Sequence, residues 1–194
     1  MNAPVGLLLA AGQSRRFGGD KLLQPLADGT PLVLASARPL RAALVDTLAV
    51  VGDIDDEVAR LLRADGVRVV ANPRRAQGVG TSIARGVAAS RHAAGWVIAL
   101  GDMPCIPPGV VATVVAALAR GADIVAPVYR GRRGHPVGFS ARHAPALLAL
   151  HADEGARAII AAHRDSVQLI EVPDRGVLLD IDVPAALQGA GRYR

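Results

Sequence analysis

Strand-length apolar runs alternating with segments of helical period constrain this chain more than any other feature. Val5–Ala10, Thr47–Val51, Val67–Ala71, Trp96–Leu100 and Asp123–Val128 read as buried strands. Between them, Pro31–Leu44, Ile54–Ala64, Thr81–His92 and Pro107–Arg120 read as helices. The apolar runs show little polar alternation, as expected of strands covered on both faces by crossover helices. The expected architecture is α/β: a three-layer α/β/α sandwich with a mostly parallel sheet, as one domain over residues 1–194. After Val128 the rhythm changes. Arg130–Gly134 reads as a hairpin tip, Pro136–Ser140 and Val167–Val172 as strands, and Ala144–Leu150 and Glu154–His163 as helices, with a last helix from about Pro184. Open α/β sheets bind ligands beyond the carboxyl ends of their strands, which directs attention to the segments after Ala10, Ala71, Leu100 and Val128.

The charge balance narrows the partners. A formal charge of +5 and a sequence pI of about 10.5 favour an anionic ligand, although a drift toward arginine would give the same balance. Nucleic acid fits poorly, because one Trp, two Tyr and two Phe leave little to stack on bases and the arginines form no tract. No apolar run reaches the roughly 18–20 residues of a membrane span. The first residues lack the basic start of a secretory signal. Cys105 is the only cysteine and reads as a small packing residue in a reducing compartment. The expectation is a soluble cytoplasmic protein.

Three segments carry chemistry. The loop from Leu9 to Lys21 follows the first strand directly, and its small residues allow close backbone approach to a phosphate chain. Arg16 offers a planar fork to phosphate oxygens and Lys21 a point charge. Of the 22 Lys and Arg residues, Lys21 is the only lysine. The loop matches neither the dinucleotide-binding glycine pattern nor the Walker pattern. A plain glycine-rich turn with solvated charges is the alternative. The strand ending at Leu100 delivers Asp102, either as a ligand for Mg²⁺ or as a turn residue before Pro104. In Leu179–Pro184, alternation puts Asp180 and Asp182 on one side of an extended segment, where a cation would relieve their repulsion. Asp182 as a helix cap is the competing reading.

Taken together, these segments resemble the MobA-like nucleotidyltransferases. The resemblance rests on Leu-Ala-Ala-Gly-x-Ser-x-Arg-x-Gly-x-x-Lys from Leu9 to Lys21, Gly-Val-Gly-Thr-Ser at 78–82, Gly-Asp-Met-Pro at 101–104, Arg-Gly-His-Pro-Val at 133–137 and Asp-Ile-Asp-Val-Pro at 180–184. Within that family the chain most resembles the molybdenum cofactor cytidylyltransferase branch. The resemblance implies a Rossmann-like fold of the nucleotide-diphospho-sugar transferase type, with residues 1–105 serving the nucleotide and 106–194 the acceptor. It implies that Ala10, Ala11, Gly12, Ser14, Arg16 and Lys21 wrap the triphosphate, and that Arg16, Lys21 and Asp102 are catalytic. Gly80, Thr81 and Ser82 lie toward base and ribose, with Asn72 and Gln77 as neighbours. Asp102 and Asp182, with Asp180 as the lesser choice, hold Mg²⁺. Arg133 and His135 face the acceptor. Ala11, where the guanylyl branch usually has Gly, implies CTP. The chain departs from the pattern at Val183, where Thr is commoner, and at Ala185 and Ala186, where acidic residues usually follow the proline.

The implied reaction moves CMP from CTP to the phosphate of molybdopterin and releases pyrophosphate, with a client molybdoenzyme as a further partner. A phosphate monoester is largely ionised at pH 7, so no general base is needed, and cancelling anion repulsion becomes the main task. His135 reads as a hydrogen-bond donor rather than a general acid. Arg130–Arg133 reads equally as acceptor clamp or solvated loop. Three alternatives stand beside this: the same chemistry with GTP or another phosphorylated acceptor, a non-catalytic escort protein, and a nicotinamide-dependent oxidoreductase, for which no fingerprint is present.

Overall fold

β1 (Val5–Ala10), β2 (Thr47–Val51) and β4 (Gly95–Leu100) are buried almost throughout, and their alternate side chains enter two different cores. Leu8, Ala49, Val51, Val97 and Ala99 point to one face; Leu7, Leu48, Val50, Trp96 and Ile98 point to the other. This is the period-two geometry of a strand with no solvated side. The computed structural model describes residues 3–12 and 20–182.

The first face is covered by α1 (Leu32–Ala43), α2 (Glu57–Ala64) and α4 (Pro108–Ala119), whose buried Leu40, Leu62 and Val114 join that core. The second is covered by α3 (Val79–Ala89), α5 (Ala144–Leu148) and α6 (Arg157–Ala162) through Ile83, Leu147 and Ile160. Local chemistry sets the helix starts. The Asp56 carboxylate accepts from the Ala59 N–H at 2.7 Å to cap α2. Pro108 opens α4, where its missing N–H leaves nothing unpaired.

The result is the expected three-layer α/β/α sandwich, with a sheet that is mixed where a mostly parallel one was expected. β3 (Arg68–Ala71), β2, β1 and β4 lie side by side and parallel. β7 (Val137–Ser140) then inserts antiparallel between β4 and β5 (Ile124–Tyr129), while β8 (Val167–Glu171) adds parallel to β5. Val128 pairs with both Arg133 of β6 (Arg132–Arg133) and Glu171 of β8, so those strands flank β5 on opposite edges. The antiparallel step follows from the hairpin at Arg130–Gly131, both at positive φ (49° and 75°), which sends the chain straight back along β5 instead of through a crossover helix.

Candidate functional site

The strand order reverses between β1, which continues to β2 and β3, and β4 on its other side. Such a switch point opens a crevice at the carboxyl ends of the strands. Gly101 holds the ends of β1 and β4 close: its N–H donates to the Leu9 carbonyl at 2.9 Å, and a Cβ there would sit 3.0 Å from that oxygen. Asp102 follows at the rim.

Three distant segments meet at this rim. Lys21 lies in a short 3-10 turn (Lys21–Leu23) capped by Asp20, whose carboxylate accepts from the Leu22 N–H at 3.1 Å. Its Nζ donates to Asp102 Oδ2 at 2.8 Å and to Asp182 Oδ1 at 3.2 Å. Lys21 is 9% exposed, whereas the Asp102 and Asp182 side chains are 25% and 51% exposed. Burial opposes the charge on Lys21, but hydrogen bonding and attraction from Asp102, then from Asp182, outweigh it and raise its pKa above the ordinary lysine value. The ammonium therefore stays charged at neutral pH. Asp102 Oδ1 is buried and accepts no hydrogen bond within the described residues. That leaves an anionic acceptor atom in want of a donor or cation.

The terminal carboxylates reach Asp102 through a strap. The Ile181 N–H donates to the Asp102 carbonyl at 3.0 Å, and Asp180 and Asp182 flank that bond. Upstream, the turn Arg175–Leu178 passes so close to the Cys105 carbonyl that a Cβ on Gly176 would overlap it. Gly134 meets the Val177 backbone in the same way, and the His135 N–H donates to the Val177 carbonyl at 2.9 Å. Sequence reading placed Gly134 in a motif without giving it a role and passed over Gly176, because a glycine needed for close approach looks like any loop glycine.

His135 feels the charges of both Asp102 and Asp180. Burial lowers the His135 pKa, and Arg133 lowers it further; a hydrogen bond to the Ile98 backbone and the charges of Asp102 and Asp180 only partly offset this. The ring is neutral at pH 7, with its Nδ1 buried and unpartnered among the described residues. Arg133 is exposed on β6.

The remaining residues singled out in the sequence divide. Ala10 ends β1, Gly12 is exposed beyond it, and Ser14 and Arg16 lie outside the described residues, as do Val183, Ala185, Ala186 and the helix expected near Pro184. Asn72, Thr81 and Ser82 are buried and bonded to one another: the Asn72 amide donates to Thr81 Oγ1 at 2.9 Å and Ser82 Oγ at 3.0 Å. The Asn72 side-chain oxygen accepts from the Arg74 N–H at 3.0 Å. These side chains hold the loop after β3 against the first turn of α3. Gly80 packs there too, against the His151 carbonyl, and Gln77 is exposed on the turn Arg75–Gln77. Among the described residues, no three His, Cys, Asp or Glu side chains cluster to hold a metal unaided, and no helix is long and apolar enough to cross a membrane.

Residues 6–167 match the family model described as a MobA-like NTP transferase domain. The chain belongs to this family. Over 190 residues it is 30% identical to the nicotine blue oxidoreductase of Paenarthrobacter nicotinovorans, covering 92% of this chain and 91% of that protein. A probable molybdenum cofactor guanylyltransferase of Thermococcus gammatolerans is 34% identical over 116 residues, or 58% of this chain and 55% of that one. Another from Thermococcus sibiricus is 34% identical over 113 residues, 57% and 54% of the two chains. Among solved structures, a Mycobacterium tuberculosis protein in complex with manganese is 25% identical with a TM-score of 0.73, covering 98% of this chain and 97% of its own. A nucleotidyl transferase from Methanothermobacter shares the fold at a TM-score of 0.82 and 22% identity, over 100% and 98% of the two chains. Family membership supports nucleotidyltransferase activity.

The expectation of CMP transfer from CTP is overturned. The relatives whose names specify a molybdenum cofactor transferase are guanylyltransferases. The structure explains why Ala11 misled: it is 5% exposed and belongs to the core on the α3 side of the sheet. A methyl buried there packs the strand end.

Proposed function

We propose that the chain transfers GMP from GTP to the phosphate of a molybdopterin-type acceptor, releasing pyrophosphate. The observation that carries this is the convergence of Lys21, Asp102 and Asp182 at the switch point, with Lys21 Nζ 2.8 Å and 3.2 Å from the two carboxylates. The similarity to the Thermococcus guanylyltransferases supports the base and the acceptor.

Asp102 and Asp182 would hold Mg²⁺. The unpartnered Asp102 Oδ1 fits a hard cation, and two carboxylates plus substrate phosphates suit Mg²⁺. The manganese complex of the mycobacterial relative supports a divalent ion on this scaffold. When bound, the ion would supply positive charge against the phosphate oxygens. Lys21 would then turn its ammonium from the carboxylates to the phosphate chain, along which Ala10–Gly12 would lie. The exposed Arg133 would offer its fork to the acceptor phosphate. Neutral His135 orients by hydrogen bonding and does not move a proton, which the ionised acceptor does not require.

Pyrophosphate release measured with each of the four triphosphates, Mg²⁺ and molybdopterin tests the reading. Release confined mainly to GTP is the expected result; none with any triphosphate refutes it. The similarity to an enzyme named nicotine blue oxidoreductase, over 92% of this chain, favours a second reading, hydride transfer on the same scaffold. Adding a reduced nicotinamide cofactor and an oxidised dye separates the two, since only a reductase consumes the cofactor.

A further inference from the structure

Arg75 stands apart from the other cations near the crevice. Gly52 is the first residue after β2, and a Cβ there would fall within the Arg75 guanidinium. The guanidinium thus rests on bare backbone at the carboxyl end of β2. It makes no ion pair or side-chain hydrogen bond among the described residues, and Arg75 is exposed. The turn that carries it is tied down. The Asn72 N–H donates to the Val51 carbonyl at 2.8 Å, tying the end of β3 to the end of β2. Asn72 then fixes the next turn through Thr81, Ser82 and the Arg74 N–H, and the Arg75 N–H donates to the Asn72 carbonyl at 3.2 Å. This buried network fixes the backbone from which the exposed Arg75 side chain reaches back across the sheet edge.

Position decides what it meets. The reacting phosphates belong over β1 and β4, beside Lys21 and Asp102. On the β5 side, the strap through Gly134 and Gly176 fills the edge, and β7 runs the opposite way. A nucleotide therefore extends its base toward β2, one strand spacing of about 4.8 Å beyond β1. We infer that Arg75, seated on Gly52, reads the base of the bound triphosphate and selects guanine. An arginine fork donates two parallel hydrogen bonds to guanine O6 and N7, an acceptor pair that adenine, cytosine and uracil do not present in that geometry. The choice of guanine rests on the GTP reading above; the seat at Gly52 does not.

The test compares wild type, Arg75→Ala and Gly52→Ala by pyrophosphate release with all four triphosphates. Gly52→Ala keeps the arginine but places a methyl in its seat. Arg75→Ala should lose about 10- to 100-fold in kcat/KM for GTP, the span of one bidentate base contact, and Gly52→Ala, where the guanidinium can shift aside, a smaller part of that, while the other triphosphates change little. An equal loss with all four would put Arg75 on phosphate or ribose and overturn the inference. So would an unchanged GTP preference in Arg75→Ala. In either case a wild type that prefers GTP leaves the proposed function standing. A wild type that prefers another triphosphate removes both.

Discussion

Replacing Lys21 by Met keeps the aliphatic stem and deletes the ammonium, so it isolates the charge that joins the three segments. The two contacts differ in shielding. Asp102 is 2.8 Å away and 25% exposed; Asp182 is 3.2 Å away and 51% exposed. A shielded hydrogen bond to a charged group contributes about 1.5–3 kcal/mol, and an exposed ion pair under about 1 kcal/mol. Lys21→Met should therefore cost about 2–3 kcal/mol at pH 7. For a chain of this size that is a fall of roughly 5–10 °C in Tm. Double-mutant cycles with Asp102→Asn and Asp182→Asn, read by urea unfolding, should give coupling of about 2 kcal/mol to Asp102 and below about 1 kcal/mol to Asp182. Because the folded pKa of Lys21 is raised, this stabilisation is complete below the ordinary lysine value of 10.5 and fades as pH rises through the higher folded value. Coupling to Asp182 equal to or above that to Asp102 would refute the reasoning, as would no coupling to either.

Asp102→Ala should lower nucleotidyl transfer by more than about 100-fold, as loss of a site's main electrostatic anchor does, while the variant remains folded by circular dichroism; near-normal turnover would remove Asp102 from the chemistry. Gly176→Ala forces a methyl against the Cys105 carbonyl and should cost about 2 kcal/mol or more in urea unfolding, together with activity, because the strap carries Asp182. A neutral result would show that strap and loop separate freely. At the opposite end of the sheet, burial opposes ionisation of Asp123, but the Ser140 hydroxyl at 2.8 Å and the charges of His143 and Arg142 outweigh it and lower its pKa. Asp123→Asn should cost about 1 kcal/mol at pH 7, a difference that disappears as pH falls through the depressed folded value; a constant difference down to pH 2 would contradict the assignment.

How much was legible depended on how local each cause was. The first, second and fourth strands fall where the apolar runs put them, and α1 and α4 within a residue or two, because burial on both faces leaves an unbroken run. Lys21, Asp102 and Asp182 could each be picked out by residue type and position after a strand or turn. Arg75 could not, since an exposed arginine in an Arg-rich chain carries no local mark. Its seat is visible only once Gly52 and the turn after β3 are neighbours.

By itself, the sequence determined the layers, the strand ends where chemistry gathers, and the short list of charged groups, since periodicity and turn composition act over a few residues. Only the tertiary structure decided which partners those groups take. Lys21 and Asp182 are 161 residues apart, and alternation placed Asp180 and Asp182 on one side without saying that Asp182 pairs with the lysine. It also turned Ala11 into the core and sent β7 back antiparallel, because packing across strands answers to neighbours that no local pattern names.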